Sequence, residues 1–262
     1  MTASDFAKRY GPWALITGAS AEMGAEFAHQ LAERGINLVL VARRRERMED
    51  LARQLESTHG IQVMSIIADL SQPDFMSVLE PATRSLDIGL LINNAGFGKA
   101  GSFLAHDLDR EVAQLHVNCR APLILTHVYG KRLARRGRGG IIFASSVSAY
   151  VAMPFETNYA ASKIYELFLA EALRYELTAV GIDVLALCPG MADSEFHVIS
   201  GNQTVGAMPV RPVVELALDQ LGRAAVAIPG WHNRMLLGLL QCAPRRLQTM
   251  VGGKFIGRLA SS

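Results

Sequence analysis

Cysteine, charged residues and long apolar runs are all scarce in this sequence of 262 residues. The three cysteines, Cys119, Cys188 and Cys242, are odd in number and far apart, which excludes a disulfide framework and a cysteine-rich zinc site. We interpret them as buried thiols in a reducing compartment. Charged residues make up 19% of the chain and the formal net charge is +2, which argues against a protein built mainly to bind nucleic acid.

The hydropathy of the chain predicts a globular protein. No run of about 18 uninterrupted apolar residues occurs, so we expect no membrane span. The N-terminal residues 1–10 are polar and charged, which predicts no secretory signal and a cytoplasmic location. Half of the residues are hydrophobic, enough for a sizeable core. We expect a single domain over 1–262, with a cofactor-binding and catalytic core at 1–190, a substrate lid at 191–210 and a C-terminal extension at 229–262.

Short apolar runs alternate along the chain with segments of helical spacing. The predicted strands are 13–17, 37–41, 62–68, 89–93, 140–145, 183–188 and 224–228. The predicted helices are 23–34, 45–59, 73–86, 108–136, 158–180 and 212–221. Strands that are apolar on both faces and alternate with helices indicate a parallel sheet covered on both sides. The sequence therefore predicts an α/β fold with a Rossmann-type doubly wound sheet of about seven strands.

The turn after the first strand, residues 17–24, reads TGASAEMG and leads into a helix. Glycines at such a turn let backbone N–H groups approach a pyrophosphate at the positive end of the helix. The second strand is followed by Arg43 rather than by the acid that usually holds the ribose of NAD. A guanidinium there suits a 2′-phosphate, which favours NADP. The alternative, a solvated basic helix start, applies to Arg44 or Arg45.

Three residues suggest proton transfer. Tyr159 and Lys163 are four residues apart on a predicted helix, so they share a face. A nearby ammonium stabilises a phenolate and lowers the pKa of the phenol. Ser146 ends the preceding strand, where its hydroxyl can donate to a substrate oxygen.

From about Trp13 to Ser194 the chain resembles the short-chain dehydrogenase/reductase family, in its compact single-domain branch. The tail resembles a loosely defined bacterial NADP-dependent subgroup with a Pro-Gly-Trp turn at 229–231, and hydroxysteroid and long-chain acyl reductases are related in pattern more loosely. The resemblance rests on the order and spacing of these pieces: Thr17-Gly18 with Gly24, Asp69, Asn93-Asn94-Ala95-Gly96, Asn118, Ser146, Tyr159-Ala160-Ala161-Ser162-Lys163, and Pro189-Gly190.

The resemblance implies a role for each catalytic residue. Tyr159 would be the general acid in reduction and the base in oxidation, and Lys163 would lower its pKa and hold the nicotinamide ribose. Ser146 would orient the substrate oxygen, and Asn118 would position a water that relays protons to Lys163.

The resemblance also implies a cofactor site for NADP(H). Asp69 would contact adenine, Asn94 the adenosine side and Ser194 the nicotinamide amide. The residues expected at the cofactor are Gly18, Ser20, Met23, Gly24, Arg43, Asp69, Leu70, Asn94, Ala95, Gly96, Tyr159, Lys163, Pro189, Gly190 and Ser194.

Glu22 departs from the family, which usually has glycine at this place in the loop. A carboxylate beside the pyrophosphate would repel it and weaken cofactor binding. Alternatively, the side chain points outward at the helix start, where an acid complements the macrodipole. We favour the outward orientation.

The expected substrate side is apolar, which suits a hydrophobic ketone or alcohol. Its walls would come from Phe97, Ser146, Val147, Val151, Met153, Phe155, Met191 and Phe196. We predict no metal site. The family commonly assembles as dimers or tetramers, so we expect a homo-oligomer. The basic, apolar tail suits either packing within the protein, which we favour, or contact with an anionic membrane surface.

These observations lead to one main functional hypothesis, an NADP(H)-dependent oxidoreductase acting on a hydrophobic ketone or secondary alcohol. The alternative is a non-catalytic NADP(H)-binding regulatory or sensor protein that retains the fold. A sugar-nucleotide epimerase would need a larger substrate domain than the roughly 70 residues after Gly190 can form.

Overall fold

The computed structural model describes residues 2–191 and 208–260. Its strands are β1 Trp13–Thr17, β2 Asn37–Ala42, β3 Val63–Ile67, β4 Ile88–Asn93, β5 Gly139–Ala144, β6 Ile182–Leu187 and β7 Val226–Ala227. They form one parallel sheet in the order β3-β2-β1-β4-β5-β6-β7. The doubly wound architecture is confirmed, and the order reverses direction at β1, so the crevice between β1 and β4 is where a ligand is expected.

Helices cover both faces of the sheet. They are α1 Ala3–Tyr10, α2 Glu22–Ala32, α3 Arg45–His59, α4 Met76–Thr83, α5 Leu108–Leu115, α6 Ala121–Arg136, α7 Thr157–Thr178, α8 Val210–Gln220, α9 Trp231–Gln241 and α10 Arg245–Ala260. One core cluster joins the sheet to α1, α2, α3 and α8, and a second joins it to α4, α6 and α7. Adjacent strand residues such as Leu15 and Ile16 enter opposite clusters, because side chains alternate along a strand.

Two helix predictions differ from the structure. The helix predicted at 73–86 begins only at Met76 and contains Pro81. The long helix predicted at 108–136 is interrupted by a π-helical turn at His116–Arg120, which separates α5 from α6. Hydrophobic periodicity does not reveal the π-helical turn, since a single wide turn leaves the apolar stripe of the helix nearly in place.

The N-terminal helix α1, which the sequence pattern did not predict, closes the sheet end opposite the expected ligand crevice. Tyr10 is fully buried, and its hydroxyl donates to Asp183 Oδ2 at 2.7 Å. Arg9 Nε donates to the same oxygen at 2.6 Å. Burial, followed by the hydrogen bond to Asp183, raises the pKa of Tyr10. These contacts join α1 to the start of β6.

The interpretation of all three cysteines as buried is wrong for two of them. Cys188 is buried, Cys119 is half-buried and Cys242 is exposed. All three are free thiols. Cys242 follows α9, on the surface of the C-terminal extension.

Candidate active site

The turn between β1 and α2 is a glycine cradle. Gly18 has a φ of 66°, and a Cβ there would lie 2.8 Å from the Ala95 Cα. A Cβ on Gly24 would collide with the Gly18 carbonyl oxygen. Both glycines are therefore required by close packing of backbone, which places the first turn of α2 beside the loop after β4.

A hydrogen-bond network fixes this cradle from the β4 side. The Thr17 hydroxyl accepts bonds from the backbone N–H groups of Asn94 and Ala95, both at 3.0 Å. The Asn94 amide donates to the carbonyl oxygens of Thr17, at 3.0 Å, and Gly18, at 3.3 Å. The side chain of Asn94 thus braces the loop, and its predicted contact with adenosine stays a prediction.

The basic residues after β2 divide into two roles. Arg43 is exposed, whereas Arg44 is half-buried and donates from Nε to Ser20 Oγ at 3.1 Å. Arg44 Nη2 also bonds the Ser20 carbonyl oxygen. The interpretation of Arg44 as a solvated helix start is therefore wrong, because this guanidinium holds the predicted cofactor residue Ser20.

Asp69 and Leu70 follow β3, near Arg43. Burial alone would raise the pKa of Asp69, but hydrogen bonds from Ser71 and the charge of Arg43 outweigh it and lower that pKa. Asp69 Oδ1 accepts from Ser71 N at 3.0 Å and from Ser71 Oγ at 2.8 Å. Leu70 is buried, and Met23 is half-buried against the core. The chain thus ends β2 and β3 with a free cation and an ionised acid.

The favoured orientation has the side chain of Glu22, the first residue of α2, pointing outward. However, the carboxylate does not extend fully into solvent, since Oε2 is shielded and makes no hydrogen bond. The effect of Glu22 on cofactor binding stays a prediction.

The catalytic candidates converge at the carboxyl ends of β4 and β5. Ser146, Tyr159 and Lys163 are all buried, and a side-chain hydrogen bond joins Ser146 to Tyr159. Lys163 Nζ lies 5.7 Å from the centroid of the Tyr159 ring. Two glycines after β4 pack closely against these side chains. A Cβ on Gly96 would lie 3.2 Å from Lys163 Nζ, and one on Gly98 would lie 2.8 Å from Tyr159 Cδ2.

Asn118 lies in the π-helical turn and braces the site. Its Nδ2 donates to the Phe97 carbonyl oxygen and to Ser162 Oγ, both at 2.9 Å. Its Oδ1 accepts from Phe97 N at 3.1 Å. Ser162 Oγ in turn donates to the Tyr159 carbonyl oxygen at 2.7 Å. The Asn118 side chain therefore links the loop after β4 to α7, and its predicted water relay stays a prediction.

The electrostatics of Tyr159 differ from the expectation that Lys163 lowers its pKa. Burial raises the pKa of Tyr159, and the carboxylates of Glu156 and Glu166 raise it further. The hydrogen bond with Ser146 acts in the opposite direction but does not prevail. The phenol is therefore protonated at neutral pH, which is the form that a general acid requires.

Of the predicted substrate walls, Val147 lies in the 3₁₀ turn Val147–Tyr150, and three more, Val151, Met153 and Phe155, lie in the loop after it. Val151 is buried, Phe97, Val147, Met153 and Met191 are half-buried, and Phe155 is exposed with a left-handed φ of 69°. Such a φ costs a non-glycine residue about 1–2 kcal/mol. Phe196 and Ser194, with most of the predicted lid, lie outside the described residues.

Helix α10 packs against this loop through glycines. A Cβ on Gly252 would lie 2.9 Å from Met153 Sδ, and one on Gly253 would lie 3.1 Å from Pro154 Cγ. Ile256 is buried. This face of the C-terminal extension is thus engaged within the protein, which agrees with the packing alternative for the tail.

At the end of β6, Pro189 is buried and its carbonyl oxygen accepts from Val147 N at 3.0 Å. The side chain of Asn233 packs against Gly190, so that a Cβ on Gly190 would lie 2.8 Å from Asn233 Nδ2. The same Nδ2 donates to the Pro229 carbonyl oxygen at 2.9 Å.

Sequence reasoning did not identify Asn233, Arg44, Gly98 or Glu166 as site residues. The available signal for Glu166 was an acid three residues after Lys163 on the predicted helix.

Comparison with known proteins gives a family. A model of the short chain dehydrogenase family matches residues 12–203. The chain belongs to this family. It is 30% identical over 234 residues to a 7β-hydroxysteroid dehydrogenase of Clostridium sardiniense, covering 88% of this chain and 90% of that protein.

Solved structures share the fold. A short-chain dehydrogenase from Sphingobium yanoikuyae in complex with NADPH is 32% identical with a TM-score of 0.81, covering 90% of this chain and 97% of that one. A bulky-bulky ketone specific alcohol dehydrogenase from Comamonas testosteroni is 33% identical with a TM-score of 0.77, covering 90% and 96%. The protein is thus a short-chain dehydrogenase/reductase with the family's NAD(P)-dependent oxidoreductase architecture.

The residues of this chain fit a nicotinamide dinucleotide. The glycines Gly18 and Gly24 let the loop after β1 pack closely at the N-terminus of α2, and backbone N–H groups at a helix N-terminus suit a pyrophosphate. The strand ends offer Arg43, Asp69 and Gly96 along one edge of the sheet. Among the described residues no cluster of metal-binding side chains occurs, and none of the helices is long and apolar enough to cross a membrane.

Proposed function

We propose that the protein is an NADP(H)-dependent carbonyl reductase or alcohol dehydrogenase for hydrophobic ketones and secondary alcohols. The observation that carries the proposal is the burial of Ser146, Tyr159 and Lys163 together beside the glycine cradle. The exposed Arg43 at the end of β2 supports NADP over NAD. The apolar residues around Val151 support a hydrophobic substrate.

In this proposal each catalytic side chain has one task in ketone reduction. The Ser146 hydroxyl donates a hydrogen bond to the substrate oxygen and stabilises the negative charge that develops there. Tyr159 donates its phenolic proton to the same oxygen, so that the carbonyl becomes a hydroxyl. Lys163 would hold the nicotinamide ribose and stabilise the phenolate left behind. The bound nicotinamide would supply the hydride that adds to the carbonyl carbon.

The raised pKa of Tyr159 affects which direction of the reaction, ketone reduction or alcohol oxidation, is favoured at neutral pH. A phenol that remains protonated at neutral pH favours reduction, whereas oxidation needs the phenolate as base. We therefore expect alcohol oxidation to require a more alkaline pH than ketone reduction does.

The proposal is tested by titrating the protein with NADPH and NADH by fluorescence and then assaying a panel of apolar ketones. The panel includes ketones with two bulky substituents, and a 7β-hydroxysteroid is assayed in the oxidative direction, because these two relatives are named for such compounds. We expect preferential binding of NADPH and NADPH-dependent turnover that falls about a hundredfold or more in Tyr159→Phe. Tyr165→Phe, the same change on the same helix, serves as control. Turnover that survives in Tyr159→Phe would overturn the mechanism.

A second candidate, a non-catalytic NADP(H) sensor, is favoured by one observation. Glu22 stands where the family usually has glycine, and its Oε2 is shielded and makes no hydrogen bond, so the loop departs from the family pattern although the catalytic residues are present. This candidate predicts NADPH binding without turnover of any ketone in the panel. Turnover dependent on Tyr159 would exclude it.

A further inference from the structure

A buried carboxylate contacts the catalytic lysine. Glu166 lies one turn after Lys163 on α7 and is 0% exposed, and Lys163 is 4% exposed. Glu166 Oε2 accepts a hydrogen bond from Lys163 Nζ at 2.8 Å. Lys163 Nζ also donates to the carbonyl oxygen of Ala144, the last residue of β5, at 2.7 Å. The mechanism proposed above does not use Glu166.

The bonds of Lys163 limit what its ammonium can do. An ammonium has three N–H donors, and two of them are engaged by Ala144 and Glu166. One donor remains for the nicotinamide ribose and Tyr159. In addition, the charge of Glu166 opposes the effect that Lys163 exerts on the phenol, because a nearby carboxylate disfavours phenolate.

We propose that Glu166 is a positioning residue that controls Lys163: when ionised it holds the ammonium against the end of β5 and offsets its charge, and when protonated it releases that donor to the cofactor. The inference rests on the proposed function, since it assigns Lys163 to the nicotinamide ribose. If Glu166 acts in this way, its ionisation weakens cofactor binding as the pH rises through neutrality.

The surroundings of Glu166 make it the group that titrates near neutral pH. Burial raises the pKa of Glu166 to about 7, although Lys163 acts to lower it. Its Oε1 is buried and has no hydrogen-bond partner, which adds to the cost of the ionised form.

Titratable side chains on three neighbouring parts of the fold face Glu166. They are Lys163 and Tyr159 on α7, Cys119 in the π-helical turn and Cys188 after β6. Burial raises the pKa of Cys119 to about 11 and that of Cys188 to about 12, so both thiols are neutral. Burial likewise raises the pKa of Tyr159.

The test measures the dissociation constant of NADPH by fluorescence between about pH 5.5 and about pH 8.5. It compares the unmodified protein, Glu166→Gln and Glu171→Gln. Glutamine keeps the shape and an acceptor oxygen but cannot ionise. Glu171 lies on the exposed face of the same helix, so its change controls for net charge. Titration of the NADPH phosphate is common to all three proteins and cancels in the comparison.

We expect the unmodified protein to lose about tenfold in affinity, relative to Glu166→Gln, as the pH rises through about 7. Glu171→Gln should follow the unmodified protein. If Glu166→Gln fails to fold, Glu166→Leu takes its place, since it removes the same charge. The affinity of the unmodified protein for NADPH should then fall by the same factor relative to Glu166→Leu.

A readout independent of the cofactor is the pH dependence of the melting temperature. The folded protein binds a proton at Glu166 that the unfolded chain releases between its usual pKa of 4.5 and about 7. The stability that depends on this proton is therefore present at low pH and is lost as the pH rises through about 7. The melting temperature of the unmodified protein should fall relative to Glu166→Gln over that window.

The outcomes separate this inference from the proposed function. Binding of NADPH with parallel pH profiles in the unmodified protein and Glu166→Gln would overturn the role of Glu166 alone. Absence of NADPH binding at every pH would overturn the proposed function together with this inference. A melting temperature difference that does not vary with pH would show that Glu166 does not titrate, which also overturns it.

Discussion

At the residue scale, two adjacent arginines show how neighbours in sequence acquire different tasks. Arg43 is exposed at the end of β2, where its charge adds to the hydrogen bonds from Ser71 that lower the pKa of Asp69. Arg44 turns back to hold both the hydroxyl and the carbonyl oxygen of Ser20. A free guanidinium can bind a phosphate, whereas one already bonded to the loop shapes the cradle for any dinucleotide.

Substitution of the two arginines should separate these tasks. Arg43→Ala should raise the dissociation constant of NADPH about tenfold or more and leave that of NADH unchanged, because it removes charge-assisted bonds to the 2′-phosphate. Arg44→Ala should weaken both cofactors, because it loosens Ser20. Fluorescence titrations of both variants with both cofactors measure this. If Arg43→Ala weakened the binding of NADPH and NADH equally, Arg43 would not be the residue that binds the 2′-phosphate.

At the element scale, the π-helical turn between α5 and α6 directs polar side chains into the site. Besides Asn118, the preceding helix supplies Glu111, whose Oε2 accepts from Asn158 Nδ2 at 2.6 Å. His106 bonds the other oxygen of Glu111 at 2.7 Å. These bonds fix the first turn of α7, so the position of Tyr159 depends on a neighbouring helix as well as on its own.

Asn118→Leu should damage both stability and activity. It leaves the N–H and carbonyl groups of Phe97 without their Asn118 partner. It also removes the donor to the Ser162 hydroxyl, which keeps only its bond to the Tyr159 carbonyl oxygen. We expect a loss of about 2–4 kcal/mol in the free energy of unfolding, measured by urea denaturation, and a lower kcat.

Thr126→Val is the matched control for that variant. It breaks the buried hydrogen bond from Asn93 Nδ2 at 3.0 Å, on the neighbouring helix α6. It should reduce stability while retaining kcat. An unchanged kcat in Asn118→Leu would show that the brace serves folding alone.

At the scale of the whole molecule, apolar side chains remain exposed on two adjacent helices. Leu108, Val112 and Leu115 lie on one face of α5, and Phe168 and Tyr175 on one face of α7. The two helices are in contact. Exposed apolar side chains on neighbouring helices are typical of a subunit interface, and we propose that two copies of the chain associate through these faces.

Phe168→Glu should therefore yield a smaller species in analytical ultracentrifugation, because it places a charge in the proposed interface. Leu236→Glu on α9 is the matched control, since Leu236 is 62% exposed and Phe168 is 61% exposed. If Leu236→Glu dissociated the protein instead, the interface would lie on the C-terminal extension. If the unmodified protein sedimented as a monomer, neither surface would be a subunit interface.

Much of the fold could be predicted because its signals are local. The helix bounds Arg45–His59 and the strand bounds Trp13–Thr17 agree with the sequence pattern, as does the parallel sheet. The π-helical turn could not be predicted, because a wide turn preserves the apolar stripe. Helix α1 did carry a signal, since its buried residues Phe6 and Tyr10 are four residues apart, but it was missed because residues 1–10 are mostly polar and charged.

The sequence by itself determined which residue types stand at the strand ends, because motif order and spacing depend only on position along the chain. Tertiary structure decided which of them act on each other. Asn94 braces Thr17 across 77 positions, and Arg44 holds Ser20 across 24. Burial likewise depends on what the fold packs above a residue, and burial turns Glu166 from an ordinary surface acid into a group whose pKa lies near neutrality.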